Sequence, residues 1–102
     1  MQIDIAPNNK TCKRLNGFAR GQELRAKYNL DALDLDQHQT IFVNIPPRIF
    51  SMDISFFNGM FRDSVKRLGS VGFNTKYQFI VGNRLRTTIQ QYVELTIKFI
   101  RK

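Results

Sequence analysis

Three polar side chains interrupt the most apolar stretch of the chain. In IFSMDISFFNGMF, residues 49–61, Ser51, Asp53 and Ser55 stand among Ile, Met and Phe. Ser and Asp at the start of a helix accept hydrogen bonds from the first free backbone N–H groups, so capping is one chemistry open to them. The other is display of a hydroxyl to a partner. A phosphate on a serine at this place would add about two negative charges, close to the positive end of the helix dipole. On the residue types alone both readings stand.

Other chemistries find little support. No GxxxxGK loop is present, and no strand is followed by GxGxxG, so the backbone cradles that hold nucleotide phosphates are missing. The two glycines of GFARG lack that spacing and read as the opening of a helix. A Ser-His-Asp triad would need His38, the sole histidine, which stands between Gln37 and Gln39 in a polar stretch where a solvated ring is expected. Asp53 has no second acid close by to share general acid–base work. The single cysteine, Cys12, can form no internal disulfide, and with one histidine it gives no familiar zinc ligand set. The expectation is a protein that is not an enzyme and takes no cofactor or metal.

The elements that must position the three polar residues follow from periodicity. QIDIA, residues 2–6, alternates as a strand and ends at Pro7, and a polar loop runs on to Gly17. A helix follows through ARGQELRAKYNL, with Ala19, Leu24, Tyr28 and Leu30 facing inward. DALDLDQHQ reads as an acidic connection with room for one more helical turn. QTIFVNI, bounded by Pro46 and Pro47, has the β-branched and aromatic content of a central strand. Ile54, Phe57, Phe61, Val65 and Leu68 recur at steps of three and four, the stripe of a second helix. Gly69 ends it, and Lys66 and Arg67 sit in a last turn where the dipole favours cations. TKYQFIV gives a third strand and Gly82-Asn83 a turn and cap. Residues 84–100 form a final helix with Leu85, Ile89, Tyr92 or Val93, and Phe99 or Ile100 turned inward. The order β-α-β-α-β-α predicts one α/β domain over residues 1–102, its sheet largely parallel and its crossovers right-handed.

The totals fit such a domain. An apolar fraction of 42% with nine phenylalanines argues for a packed core and not a disordered tail. No apolar run reaches the length of a membrane span and the N-terminus has no hydrophobic signal core, so a cytoplasmic protein is expected. The net charge of +8 and the pI near 10.2 favour anionic partners. The positives are nevertheless scattered, in pairs such as Lys13-Arg14, Lys66-Arg67 and Arg101-Lys102. They read as solvated faces, with a small basic nucleic-acid-binding domain as the rival reading. Phe50, Phe56 and Phe73 fall outside the stripes, and either wrap helix ends or form a protein-binding patch, for another protein or for a second copy.

Met52-Asp53-Ile54-Ser55, after a strand and opening an amphipathic helix, resembles the MDSS or DSSG signature of STAS domains, best known from bacterial anti-sigma-factor antagonists. The wider pattern is closer to the small STAS-like domains of unknown function. It runs from IDIA through RGQELR and a strand to ISFFNGMF and the LG after it, nearly the whole chain. The resemblance implies a small α/β fold with helices packed mainly on one face of the sheet. It implies a regulatory interaction module whose partner is a histidine-kinase-type ATPase. In the antagonists the second serine of the motif is phosphorylated, which corresponds here to Ser55, with Asp53 as the motif aspartate. The partner-facing set implied is then Ser51, Asp53, Ser55 and Phe56. Three positions depart from the antagonists: Ile54 replaces the first serine, Phe56 replaces a glycine, and Asn44 stands where an acid is frequent. A serine followed by phenylalanine, as in Ser55-Phe56, is common among the STAS-like relatives.

Overall fold

The computed structural model describes residues 1–5 and 11–100. Three strands, β1 (Gln2–Asp4), β3 (Ile41–Asn44) and β5 (Tyr77–Ile80), form a parallel sheet in the order β1-β3-β5. The register sets Ile3 beside Val43 and Val43 beside Phe79. A second, two-residue parallel pair joins β2 (Arg14–Leu15) to β4 (Ser51–Met52). The helices are α1 (Phe18–Tyr28), α2 (Leu30–Leu35), α3 (Ile54–Lys76) and α4 (Asn83–Ile100). The α/β class and the parallel sheet expected from the alternation of patterns are both present.

Strands that follow one another across a sheet in sequence order, each reached by a right-handed crossover, place all their connections on the same face. The side chains agree. Ile3, Ile41, Val43, Tyr77 and Phe79 are buried, while Gln2, Phe42, Gln78 and Ile80, on the alternate positions, are exposed. The helices therefore cover one face, with α3 packed between α1 and α4. Its stripe holds from Phe57 onward: Phe57, Phe61 and Val65 are fully buried and Leu68 packs on the margin of the same core, while Ile54, expected to open the stripe, is half-buried in the first turn and outside that core.

The contact between α1 and α3 depends on two glycines. A Cβ on Gly21 would lie 2.8 Å from the backbone nitrogen of Met60 and closer still to the Phe56 carbonyl oxygen. One on Gly59 would lie 3.0 Å from the Phe18 carbonyl carbon and would collide with its oxygen. The backbones approach each other where both side chains are absent.

Several expectations need correction. β1 ends at Asp4, and the expected stop at Pro7 lies outside the described residues. The presumed loop before α1 contains β2, anchored by the fully buried Leu15. Ala19 is exposed, because the inner face of α1 is set by Gly21, Leu24, Arg25 and Tyr28, and Ala19 lies across the helix from that line. Gly69 does end a helical segment, with φ 75° and ψ 173°, but the chain resumes helix and runs on to Lys76. That break changes the phase of the apolar pattern. Phe73, off the first stripe, is fully buried and stacks on Tyr77 at 5.0 Å between ring centroids. Of α4, neither Phe99 nor Ile100 turns inward, since Ile97 is the last apolar side chain packed on the core.

Candidate functional site

The polar residues of the opening stretch separate into different environments. Asp53 is the N-cap of α3, in an extended conformation, and its Oδ1 accepts a hydrogen bond of 2.7 Å from the Phe56 N–H. The same oxygen accepts from the N–H of Gly17 at 3.3 Å, so one carboxylate ties the starts of α1 and α3 together. Gly17 has φ 95°, a conformation that favours glycine, as the chain turns into α1. The β2–β4 ladder seats this junction: the Asp53 N–H donates to the Leu15 carbonyl at 2.9 Å and the Phe50 N–H to that of Lys13 at 3.0 Å.

Ser51 does not cap. It lies half-buried in β4, opposite Arg14. Ser55 is exposed in the first turn of α3, and its hydroxyl has no hydrogen-bond partner among the described residues. Phe56 is the clear correction. Expected on the partner-facing surface, it is fully buried. With Met60 and Ser64 it forms a second buried line on α3, one step around the helix from Phe57, Phe61 and Val65. Phe73 is likewise core, which leaves Phe50 as the one exposed ring of the three outside the expected stripes.

Around the capped turn, Tyr92 of α4 donates from its hydroxyl to the Met52 carbonyl at 2.8 Å. Burial, and then the negative charge of Asp53, raise this phenol above its ordinary pKa. One turn beyond Ser55 a groove of about 530 Å³ opens between α3 and α4, lined by Asn58, Arg62, Lys66 and Thr96 among others. The Arg62 guanidinium lies 5.5 Å from the centre of the Phe18 ring at the start of α1. A second cavity, about 410 Å³, lies at the carboxyl ends of β3 and β5, where Asn44, Pro46, Phe50, Ile80 and Arg84 contribute to its walls. Open α/β sheets place their working crevices at such ends.

A polar cluster that the sequence reading overlooked lies on the other side of α1. The Arg25 guanidinium, 8% exposed, donates to the Met60 carbonyl and the Ser64 hydroxyl, both at 2.8 Å, to Asp31 at 2.6 Å and to Asp34 at 3.1 Å. Asp34 also accepts from the Ser64 hydroxyl at 2.7 Å and the Tyr77 hydroxyl at 2.5 Å. Arg67 closes the cluster at 3.3 Å from Asp34. Burial lowers the Arg25 pKa, but its bonds to Asp31 and Asp34 and their charges outweigh burial and leave it raised. Burial, and then the bond to Asp34, raise the Tyr77 phenol well above its ordinary range. With its donors and acceptors paired, the cluster joins α1, α2, α3 and β5 and offers no free group for chemistry. A signal was present: Arg25 keeps step with Gly21, Leu24 and Tyr28, and an inward arginine requires a carboxylate. Asp34 shares the inner face of α2 with Leu30.

His38 is exposed in the turn before β3, its N–H bonded to Asp36, and it makes no triad with the serines above. Cys12 is buried, donating from Sγ to the Arg14 carbonyl and accepting from Arg20. Among the described residues no group of three or more His, Cys, Asp or Glu gathers where it could hold a metal. No described helix is long and apolar enough to cross a membrane. No family model, curated protein or solved structure matches the chain.

Proposed function

We propose that this chain is a non-catalytic regulatory interaction module of STAS-like type, which presents Ser55 at the start of α3 to a histidine-kinase-type ATPase. One observation carries the reading: Asp53 alone caps α3, while the Ser55 hydroxyl is exposed and unbonded among the described residues. A serine in the first turn that is not needed for the cap is available for recognition. The parallel α/β arrangement with helices over one face supports the same type of fold. Asn58 and Arg62, three and seven residues on from Ser55, extend the surface along one side of α3.

Phosphorylation of this module transfers the γ-phosphoryl group of ATP to Ser55 Oγ, releasing ADP and the hydroxyl proton. The new charge is repelled by Asp53 and attracted by the helix N-terminus. These effects oppose each other, so domain stability changes little, while a surface fitted to a neutral hydroxyl is lost.

The test is a pull-down of a candidate ATPase of this type with wild type, Ser55→Ala and Ser55→Asp. Binding by wild type and alanine, loss with aspartate, and near-equal melting temperatures support the reading. Equal binding by Ser55→Asp, or its unfolding, makes Ser55 structural only. The rival nucleic-acid reading is favoured by one observation: Arg25 is the only buried cation among the described residues, so the basic charge is at the surface. A salt titration against duplex and single-stranded DNA separates the two. Submicromolar binding that weakens steeply with salt favours the rival.

A further inference from the structure

The cavity at the carboxyl ends of β3 and β5 forms where the two strands part. Their last bond runs from the Ile45 N–H to the Ile80 carbonyl at 3.2 Å. Beyond it one chain turns through Pro46-Pro47, closed by the Ile49 N–H on the Pro46 carbonyl at 3.0 Å, and the other enters α4 through Val81 and Gly82. Proline carries no N–H, so this wall presents hydrocarbon where another residue would present a donor. Of the lining side chains, Ile45, Ile49 and Leu85 are buried and form a floor, while Phe50 and Ile80, 49% and 48% exposed, stand at the mouth. A volume of about 410 Å³ is ordinary for a small-molecule site, and such sites are likewise mostly apolar with a few placed polar groups.

Charge indicates what the cavity takes. Arg84, in the first turn of α4, is the one charged side chain among its lining residues. It makes no hydrogen bond, ion pair or ring contact among the described residues. The Arg14 guanidinium lies 5.5 Å from the centre of the Phe50 ring, so a second positive charge borders the mouth. Residues 44–52 and 80–86, which build the walls, contain no Asp or Glu. Asp4, at the carboxyl end of β1, is engaged by the side-chain amides of Gln2 at 2.8 Å and Asn44 at 3.2 Å. A free guanidinium beside an apolar floor fits a carboxylate, which it can hold through two parallel N–H···O bonds. Other side-chain donors are few. The Asn44 amide nitrogen is taken by Asp4, and no hydroxyl side chain lines the walls. A nucleotide would leave its ribose hydroxyls and base edge without side-chain partners there.

We infer that this cavity is a binding site for a small organic acid with an apolar body. The hydrocarbon portion rests on Ile45, Ile49 and Leu85 beside the Phe50 ring, and the carboxylate meets Arg84. Burial of hydrocarbon supplies the attraction, and the arginine sets the orientation. An uncharged relative of the same body keeps the first contribution and loses the second. No residue from the opening of α3 lines the cavity, so the inference stands apart from the role of Ser55.

Titration of the isotope-labelled chain, followed through its backbone N–H chemical shifts, tests it with phenylbutanoate and octanoate as probes. At least one should saturate with a Kd below about 1 mM and move the signals of Ile49, Phe50, Val81 and Leu85. The carboxamide of that acid, the same body without the charge, should bind at least tenfold more weakly. Arg84→Gln should weaken the acid at least tenfold and leave the carboxamide unchanged. Lys98→Gln, the same loss of charge in the last turn of α4, should change neither. Circular dichroism confirms that both variants are folded, as both positions are exposed. A Kd above about 1 mM for both acids overturns the inference. So does a carboxamide that binds within tenfold of its acid, or an equal loss in Arg84→Gln and Lys98→Gln. Tighter binding of adenosine monophosphate at the same signals overturns it in favour of a nucleotide site.

Discussion

Asp31 shows how an exposed carboxylate can still report on the interior. The hydrogen bond from Arg25, then the charges of Arg25 and Arg67, hold its pKa below the ordinary value of 3.8. A folded pKa depressed in this way means stability that is present above the unfolded value and lost as pH falls through the folded one. The urea midpoint should therefore drop as pH is lowered below 3.8, and the drop should be smaller in Asp31→Asn. An equal acid response in both proteins would show that the Arg25 contact contributes nothing in solution. At this scale the sequence was partly legible. Asp53 was legible as a candidate cap from its type and its place before an amphipathic run, although type alone did not choose between it and Ser51. Phe56 misled because a motif assigned it to the surface, whereas α3 is covered on two sides and has an additional inward line. Arg25 went unread because arginine is mostly exposed, and its carboxylate partner comes nine residues later, in what seemed a mere connection.

Among the elements, the two-glycine crossing of α1 and α3 gives a prediction with an unusual sign. Exchanging Gly for Ala inside a helix ordinarily stabilises by about 1 kcal/mol. At Gly59 the new methyl would meet the backbone of Phe18 and lie 3.2 Å from the Gln22 nitrogen. A backbone cannot rotate aside as a side chain does, so overpacking, at about 1–3 kcal/mol, exceeds the propensity gain. Gly59→Ala should lower the denaturation midpoint, and a rise would mean that the helices are further apart than the structure places them. Stripes with several members, such as Phe57-Phe61-Val65, were legible from the sequence because many residues vote for one period. The β2–β4 pair was not, since two residues carry no period and their pairing spans the whole of α1, α2 and β3. The resumption of helix after Gly69 was hidden for a related reason: a glycine with positive φ ends one phase, and the few residues after it are too short to establish another.

The whole molecule follows from a topological constraint more than from any residue. Three parallel strands in sequence order leave one face of the sheet uncovered, and alternation within QTIFVNI already placed Phe42 and Asn44 opposite Ile41 and Val43. What the alternation lacked was the identity of the covered side, which depends on crossover handedness and long-range register. The Arg25 cluster has a consequence for how such a chain assembles. Its members come from α1, α2, α3 and β5, and the guanidinium can leave water at low cost only when the carboxylate and the carbonyl that receive it have already arrived. A partly assembled chain with α1 docked and α2 loose would strand a charge in an apolar setting, a state costing about 3–5 kcal/mol. The short α2, six residues that would fray if alone, should therefore be released only with its neighbours. In native-state hydrogen exchange, the amides of α2 should join those of α1 and α3 in one denaturant-dependent opening. If α2 exchanges through a separate, local opening, the cluster does not bind the halves of the chain into a single unfolding unit.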